Sequence, residues 1–296
     1  MEALRVTVRR GIVEEAEHLV HAVAVRDGAV VEQAGEAGLV AYLRSSAKPF
    51  QAIPVVLARD DLSSAEIAIA SASHLASPEQ LAAVRSLLAK APAEEDELEC
   101  GTSGPDSVAT RLEHNCSGKH AGMLALCRAH GWASGGYRLP THPVQHACRD
   151  VIAAAADVGI DELPTAVDGC GVVTFALPLE RMALMFSRLE QVDGGATVAA
   201  AMREHPDLIR GPVAADSLLM RELDGWTAKG GAEGLLCAVG PDGLGIALKV
   251  DDGNMRAIRP ALAAFLRRLG IETGELGLVP LVNSLDEVVG EVVADG

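Results

Sequence analysis

The chain predicts an α/β fold of mixed α+β type, in which an antiparallel sheet built from the N- and C-terminal segments carries an inserted helical lobe. Three observations point to it. Short Val-rich segments bounded by turn residues crowd both ends of the chain, as half-buried strands require. Long segments with 3.6-residue periodicity fill the middle. Nearly half of the 296 residues, 49%, are apolar, enough to bury a sizeable core between such layers.

Taken in order, residues 5–9, 19–25 and 29–33 read as strands, with Asp27-Gly28 marking a tight turn between the second and third. This predicts an antiparallel meander. From Ser45 to about Gly230 the pattern is mostly helical, with helices expected over 78–90, 117–130 and 142–156, punctuated by Gly and Pro. Strands return at 234–239 and 243–250, a helix at 254–269 is ended by Gly270, and 285–293 is a last strand. The acidic stretch 91–101 reads as a surface loop, and no repeat or low-complexity linker occurs. The expected organisation is one domain over 1–296, with a sheet lobe at about 1–45 and 232–296 and a helical lobe at about 46–231.

The formal charge of −16 repels phosphate backbones, which argues against nucleic-acid binding. No apolar run reaches the ~18 to 20 residues of a membrane span, and Glu2, Arg5, Arg9 and Arg10 leave no signal-peptide core at the N-terminus. A cytoplasmic protein without membrane contact is expected. Six scattered cysteines lack the dense spacing of a disulfide scaffold and read as free thiols or metal ligands in a reducing compartment.

Only five lysines occur against twenty arginines, and three of the five stand in motif-like stretches: Lys48, Lys119 and Lys249. Arginine cannot give up its proton near neutral pH, whereas a buried lysine can serve as base or neutral ligand. Ser45 and Lys48 are three residues apart; if a helix starts near Ser46 they share one face, and Pro49 fits its first turn. A serine at a helix N-terminus gains dipole stabilisation of developing negative charge, and a neutral lysine can accept its proton. The plainer alternative is a serine N-cap beside a solvated lysine. Lys249 lies on a C-terminal strand and needs a hydroxyl partner, for which Ser73 in Ser71-Ala72-Ser73-His74 is favoured, with Ser71 and Ser77 open alternatives.

Cys116 and Lys119 repeat the i, i+3 spacing at a helix start, and Asp168-Gly169-Cys170 offers a carboxylate and a thiol whose alternation on a strand would place both on one side. Two thiolates with nitrogen or oxygen donors suit tetrahedral zinc. Lysine must first lose a proton to serve as a ligand. His114 and His120 are alternative ligands, buried structural cysteines the plainer reading, and His142 with His146 a solvated helix face.

Together these pieces resemble the asparaginase II family, the rhizobial-type L-asparaginases. The resemblance rests on Arg44-Ser45-Ser46-Ala47-Lys48-Pro49-Phe50-Gln51, Ala72-Ser73-His74, the run from His114 to Met123, Asp168-Gly169-Cys170-Gly171, Lys229-Gly230-Gly231-Ala232-Glu233-Gly234 and Gly245-Ile246-Ala247-Leu248-Lys249. It implies a fold similar to serine β-lactamases and glutaminases, a first Ser45–Lys48 pair, a second Ser73–Lys249 pair, and a zinc site of Cys116, Lys119, Asp168 and Cys170. The implied reaction converts L-asparagine to aspartate and ammonia, with Ser45 attacking, Lys48 as base, Ser73–Lys249 as proton relay, and backbone N–H groups at the helix start and near Asp251 holding the oxyanion. Zinc would orient substrate or stiffen the pocket rather than activate water. A homodimer is the expected assembly. A β-lactamase-like acyl-transfer hydrolase and a non-catalytic zinc-binding protein are the alternatives.

Overall fold

The computed structural model describes residues 1–103 and 107–295. Four strands open the chain: β1 (Leu4–Arg10), β2 (Val13–Arg26), β3 (Ala29–Ala34) and the short β4 (Val40–Tyr42). Two more, β5 (Thr165–Val167) and β6 (Val173–Pro178), lie in the middle, and β7 (Thr227–Gly231), β8 (Leu235–Val239), β9 (Gly245–Val250), β10 (Val279–Val282) and β11 (Val288–Ala294) follow. The main sheet is antiparallel in the order β10-β11-β1-β2-β9-β8-β7, with β3 pairing to β2. Both chain ends therefore meet in one sheet, as the sequence predicts. Asp27 and Gly28 have φ of 52° and 79°, the left-handed pair that a two-residue hairpin turn demands.

The helices are α1 (Lys48–Ala58), α2 (Ser64–Ala70), α3 (Pro78–Lys90), α4 (Ser117–His130), α5 (Pro143–Ala156), α6 (Leu179–Ser187), α7 (Gly195–Glu204), α8 (Pro206–Ile209), α9 (Ala215–Glu222) and α10 (Ile258–Arg268). Two apolar cores sit on opposite faces of the sheet. On β9, Ile246, Leu248 and Val250 pack with α9 and α10, whereas Ala247 faces α6 and the helical lobe. In α10 the buried residues Ile258, Ala261, Leu262, Phe265 and Leu266 recur at i, i+3, i+4, i+7 and i+8, which makes one apolar stripe against the sheet. Arg267 and Arg268 end this helix, where cations complement the dipole.

The structure departs from the sequence reading in several places. Strands β4 and β5 are three residues long, too short for an alternating pattern, and with β6 they form a separate sheet within the nominally helical lobe. β7 reads Thr-Ala-Lys-Gly-Gly, with almost no strand propensity, yet it is the edge of the main sheet. The sheet's C-terminal part thus begins at Thr227 rather than 232. The acidic stretch is anchored, since Leu98 and Cys100 are buried within it. No helix among the described residues is long and apolar enough to cross a membrane.

Two glycines set the spacing of the elements that carry chemistry. A Cβ on Gly118 of α4 would lie 2.1 Å from the Ile69 carbonyl oxygen of α2, so only glycine lets these helices touch. On β7, a Cβ on Gly231 would lie 2.8 Å from the Leu43 carbonyl oxygen and 3.0 Å from Ser46 Oγ, which allows this strand to abut the turn before α1. Gly118→Ala should destabilise the fold by ~1 to 3 kcal/mol, the usual cost of overpacking. Gly38, with nothing within 4 Å of its added Cβ, is the control. Denaturant midpoints should show Gly38→Ala within about 0.5 kcal/mol of the parent; equal effects at both positions would contradict the packing argument.

Candidate functional site

Leu43 N–H donates to the Phe175 carbonyl, and Arg44 then turns the chain with a φ of 48°, rare for a residue with a side chain. A 3₁₀ turn over Arg44–Ala47 follows and runs straight into α1, with Pro49 in its first turn as expected. Ser45 is partly exposed while Lys48 is entirely buried. The Lys48 amine donates to the Ala72 carbonyl, to Ser73 Oγ at 3.0 Å and to the Asn115 carbonyl at 3.5 Å. Burial is the largest influence on this amine and lowers its pKa, against the opposing pull of Cys116. The hydroxyl that meets Lys48 is therefore that of Ser73, not that of Ser45.

The loop carrying Ser73 is fixed from both sides. Ser73 N–H donates to the Ile209 carbonyl at 2.7 Å. Ser71 Oγ bonds the Ile67 carbonyl and Ser77 caps α3, so neither alternative serine faces the amine. His74 Nδ1 accepts the Ala76 N–H, which leaves Nε2 as the donor to Ser117 Oγ at 2.7 Å; Ser117 in turn donates to the Leu112 carbonyl. This tautomer is neutral, and burial pushes the His74 pKa down to about 3.

Lys249 is not part of this group. It sits on β9, two strands in from the β7 edge, half-buried, and its amine donates to the Val250 carbonyl at 2.5 Å with Asp251, Glu233 and Asp252 as its charged surroundings. The Asp251 N–H is bonded to the Leu19 carbonyl. The lysine that the sequence reading passed over is Lys229, on β7. It has no exposed surface, its carbonyl accepts from Ser46 Oγ at 2.9 Å, and its amine donates to the Gly230 carbonyl at 2.8 Å. Burial lowers its pKa to about 7, and Lys48 and Arg210 push the same way. The signal was present: Lys229 is one of only five lysines and stands beside two glycines. What hid it was that Gly-rich β7 does not read as a strand.

Three of the four expected metal ligands, Cys116, Lys119 and Cys170, contact one another. Cys116 caps the start of α4, and Lys119 one turn on donates to Cys170 Sγ at 3.0 Å. Cys170 also accepts from the Cys116 thiol, which is the largest influence holding its pKa well below the usual thiol range. Burial opposes charge on Lys119, but the combined attraction of Cys170, Cys116 and Asp168 outweighs it and raises its pKa. A thiolate beside an ammonium is the result. Asp168 and Cys170 lie in a turn rather than on a strand: β5 ends at Val167, and Gly171, with a φ of 84°, closes the turn through its N–H to the Asp168 carbonyl. Asp168 Oδ1 accepts from Arg44 Nε at 2.5 Å and from the Gly169 N–H at 2.8 Å, which ties this turn to the residue preceding Ser45.

Among the described residues no three His, Cys, Asp or Glu side chains gather as a metal cluster. The set here instead counts two thiols and an amine, with Asp168 alongside. That donor set fits zinc once Lys119 gives up its proton. Of the histidines, His114 Nδ1 accepts the Cys116 N–H and His142 caps α5, while His120 Nδ1 bonds Tyr137 Oη and its buried Nε2 has no hydrogen-bond partner among the described residues.

The sequence matches the L-asparaginase II family over residues 6–294. No curated protein matches it. Among solved structures, Mglu in its native form aligns with a TM-score of 0.51 at 12% identity, over 86% of this chain and 66% of that one. The chain thus spans about two thirds of Mglu's length, and at this identity the likeness concerns the fold. A candidate beta-lactamase from Bacteroides dorei aligns with a TM-score of 0.44 at 14% identity, over 84% of this chain and 93% of that one.

The neutral burial of His74 has a consequence for stability. In the unfolded chain a histidine binds a proton below about pH 6.5, while the folded protein refuses one until about pH 3. Over that window the unfolded state holds more protons, so stability falls as pH falls, by up to ~1.4 kcal/mol per pH unit for this group. Urea midpoints should drop steadily from pH 7 to pH 4; a flat profile would show that His74 accepts its proton in the folded state.

Proposed function

Because the chain belongs to the L-asparaginase II family, we propose that it hydrolyses the side-chain amide of L-asparagine to L-aspartate and ammonia through a serine–lysine centre. The observation that carries this reading is the fully buried Lys48 amine, 3.0 Å from Ser73 Oγ on the same helix start that presents Ser45. Ser45 is partly exposed and Ser73 is 1% exposed, so Ser45 is the hydroxyl a substrate can reach.

In this mechanism Ser45 Oγ attacks the amide carbon, and its proton passes by way of Ser73, the hydroxyl that Lys48 bonds, to the Lys48 amine that burial favours as neutral. The oxyanion would rest on a backbone N–H of the opening turn, where those of Arg44, Ser46 and Lys48 are already bonded to Thr174 Oγ1 and to the Leu43 and Ser45 carbonyls. Lys48 returns the proton through Ser73 to the departing nitrogen; the C–N bond breaks, ammonia leaves and an ester remains on Ser45. Water then adds to that ester, giving its proton to Lys48. The C–Oγ bond breaks, aspartate departs and Ser45 recovers its proton. Lys229, whose charge is balanced near neutral pH, takes the place of second amine that the sequence had given to Lys249.

Cys116, Lys119 and Cys170 would hold a zinc ion, with Asp168 beside them. When bound, the metal supplies a fixed positive charge that keeps both sulfurs as thiolates. The Arg44–Asp168 contact would then pass its rigidity to the turn bearing Ser45. We take the working form to be a cytoplasmic homodimer, the commonest symmetric assembly.

Ammonia release from asparagine and glutamine, with nitrocefin hydrolysis alongside, tests the assignment. Ser45→Ala and Lys48→Met should each lower kcat by at least ~10²-fold while leaving the circular dichroism unchanged, because methionine fills the buried space but cannot act as base. Full turnover in either variant, or nitrocefin as the better substrate, would overturn it. Elemental analysis should find about one zinc per chain, lost in Cys170→Ser; no zinc in the parent protein would remove the metal from the scheme.

A further inference from the structure

Among the described residues Lys229 is the fully buried lysine that has a carboxylate within ion-pair range. That carboxylate is Asp216, at the start of α9, itself only 2% exposed. Asp216 Oδ2 accepts the Gly230 N–H at 2.9 Å and lies 3.5 Å from Lys229 Nζ, while Oδ1 accepts the Ser217 N–H at 3.1 Å. A Cβ on Gly230 would lie 3.3 Å from Oδ2, so glycine there leaves the carboxylate its room. Burying an ion pair costs more than packing apolar groups in the same volume. Capping the free edge of β7 requires only a hydrogen-bond acceptor, whereas a full negative charge has a further effect: it holds a proton on its neighbour.

We propose that Asp216 is a positioning residue that sets the charge of Lys229 within the amide-hydrolysis centre. The proposal rests on Lys229 belonging to that centre. The groups around the amine oppose one another. Lys48 from α1 and Arg210 after α8 drive Lys229 toward the neutral amine, and Asp216 is the acid that draws it toward the ammonium. Cys237, opposite Lys229 in register on β8, is kept a neutral thiol by burial, which pushes its pKa up to about 12. Burial is the largest influence and lowers the Lys229 pKa, and the Asp216 charge is the largest influence that opposes it.

The test is Asp216→Asn, which keeps an acceptor for the Gly230 N–H and removes the charge. The scarcity of lysine makes a direct readout practical: with ¹³Cε-labelled lysine the protein gives five signals, and Lys229→Met identifies one of them. In Asp216→Asn the Lys229 midpoint should fall by about 1 to 2 units, and the matching limb of the kcat/KM pH profile should move to lower pH by the same amount. The direction is the same whether Lys229 acts as acid or base. Asp216→Glu, which retains the charge, should keep the midpoint near that of the parent and serves as second variant if Asp216→Asn fails to fold. An unmoved midpoint in Asp216→Asn, or one displaced equally in Asp216→Glu, would reduce Asp216 to an edge cap and overturn the proposal. Full ammonia release by Lys229→Met would instead remove Lys229 from the centre, a failure of the underlying reading that the profiles of the Asp216 variants would not produce.

Discussion

The burial of the Lys48 amine is the constraint around which the rest of the molecule is arranged. An ammonium without exposed surface is costly, and three groups from two parts of the chain converge on it: the Ala72 carbonyl and Ser73 hydroxyl from one loop, and the Asn115 carbonyl from just before α4. Each must be held within about an ångström for the arrangement to persist. Gly118 supplies that closeness between α4 and α2, and Gly231 supplies it between β7 and the Ser45 turn. His74, locked as a neutral ring between Ala76 and Ser117, keeps the Ser73 loop from relaxing. Packing around one polar atom thus fixes the positions of two serines.

The same burial explains why the centre uses lysines. A guanidinium in the Lys48 position would remain charged where burial disfavours charge, and it could not give up its proton as an amine can. Three buried lysines reach three different states. Lys48 is driven toward neutrality by desolvation, Lys119 is held as an ammonium by a thiolate and Asp168, and Lys229 stands between the two. Their differences come from neighbours, since all three lie in comparable depth of protein. Arg44 connects two of these groups, joining the Asp168 turn of the sulfur cluster to the residue before Ser45.

Much of the architecture was legible in the chain. The meander, α3, α4, α5, β8, β9 and α10 follow strong periodicity, and the structure places them within about four residues of expectation, except that β2 starts at Val13 rather than Leu19. The strands that escaped notice are β4, β5, β6, β7 and β10; β4, β5 and β10 are short, β7 is Gly-rich, and β6 lies in a stretch that otherwise reads as helical. The serine and cysteine motifs were legible for a similar reason. Residues three apart at a helix start are close whatever else the chain does, so Cys116 with Lys119 could be grouped without a structure.

Distant pairs were another matter. That Ser73 bonds Lys48 rather than Lys249 depends on where the 71–77 loop lands against α4, which no local pattern encodes. That Lys229 and not Lys249 lies beside the Ser45 turn depends on strand order, because β7 is the sheet edge whose Lys229 carbonyl meets Ser46, while β9 lies two strands inside. The sequence by itself determined which residue types are equipped for the chemistry, since an amine that can lose its proton and a hydroxyl at a helix start are properties of local chain. Only the tertiary structure decided which of them meet and what charge they carry, because both contact across the sheet edge and desolvation are set by the packing of elements far apart in sequence.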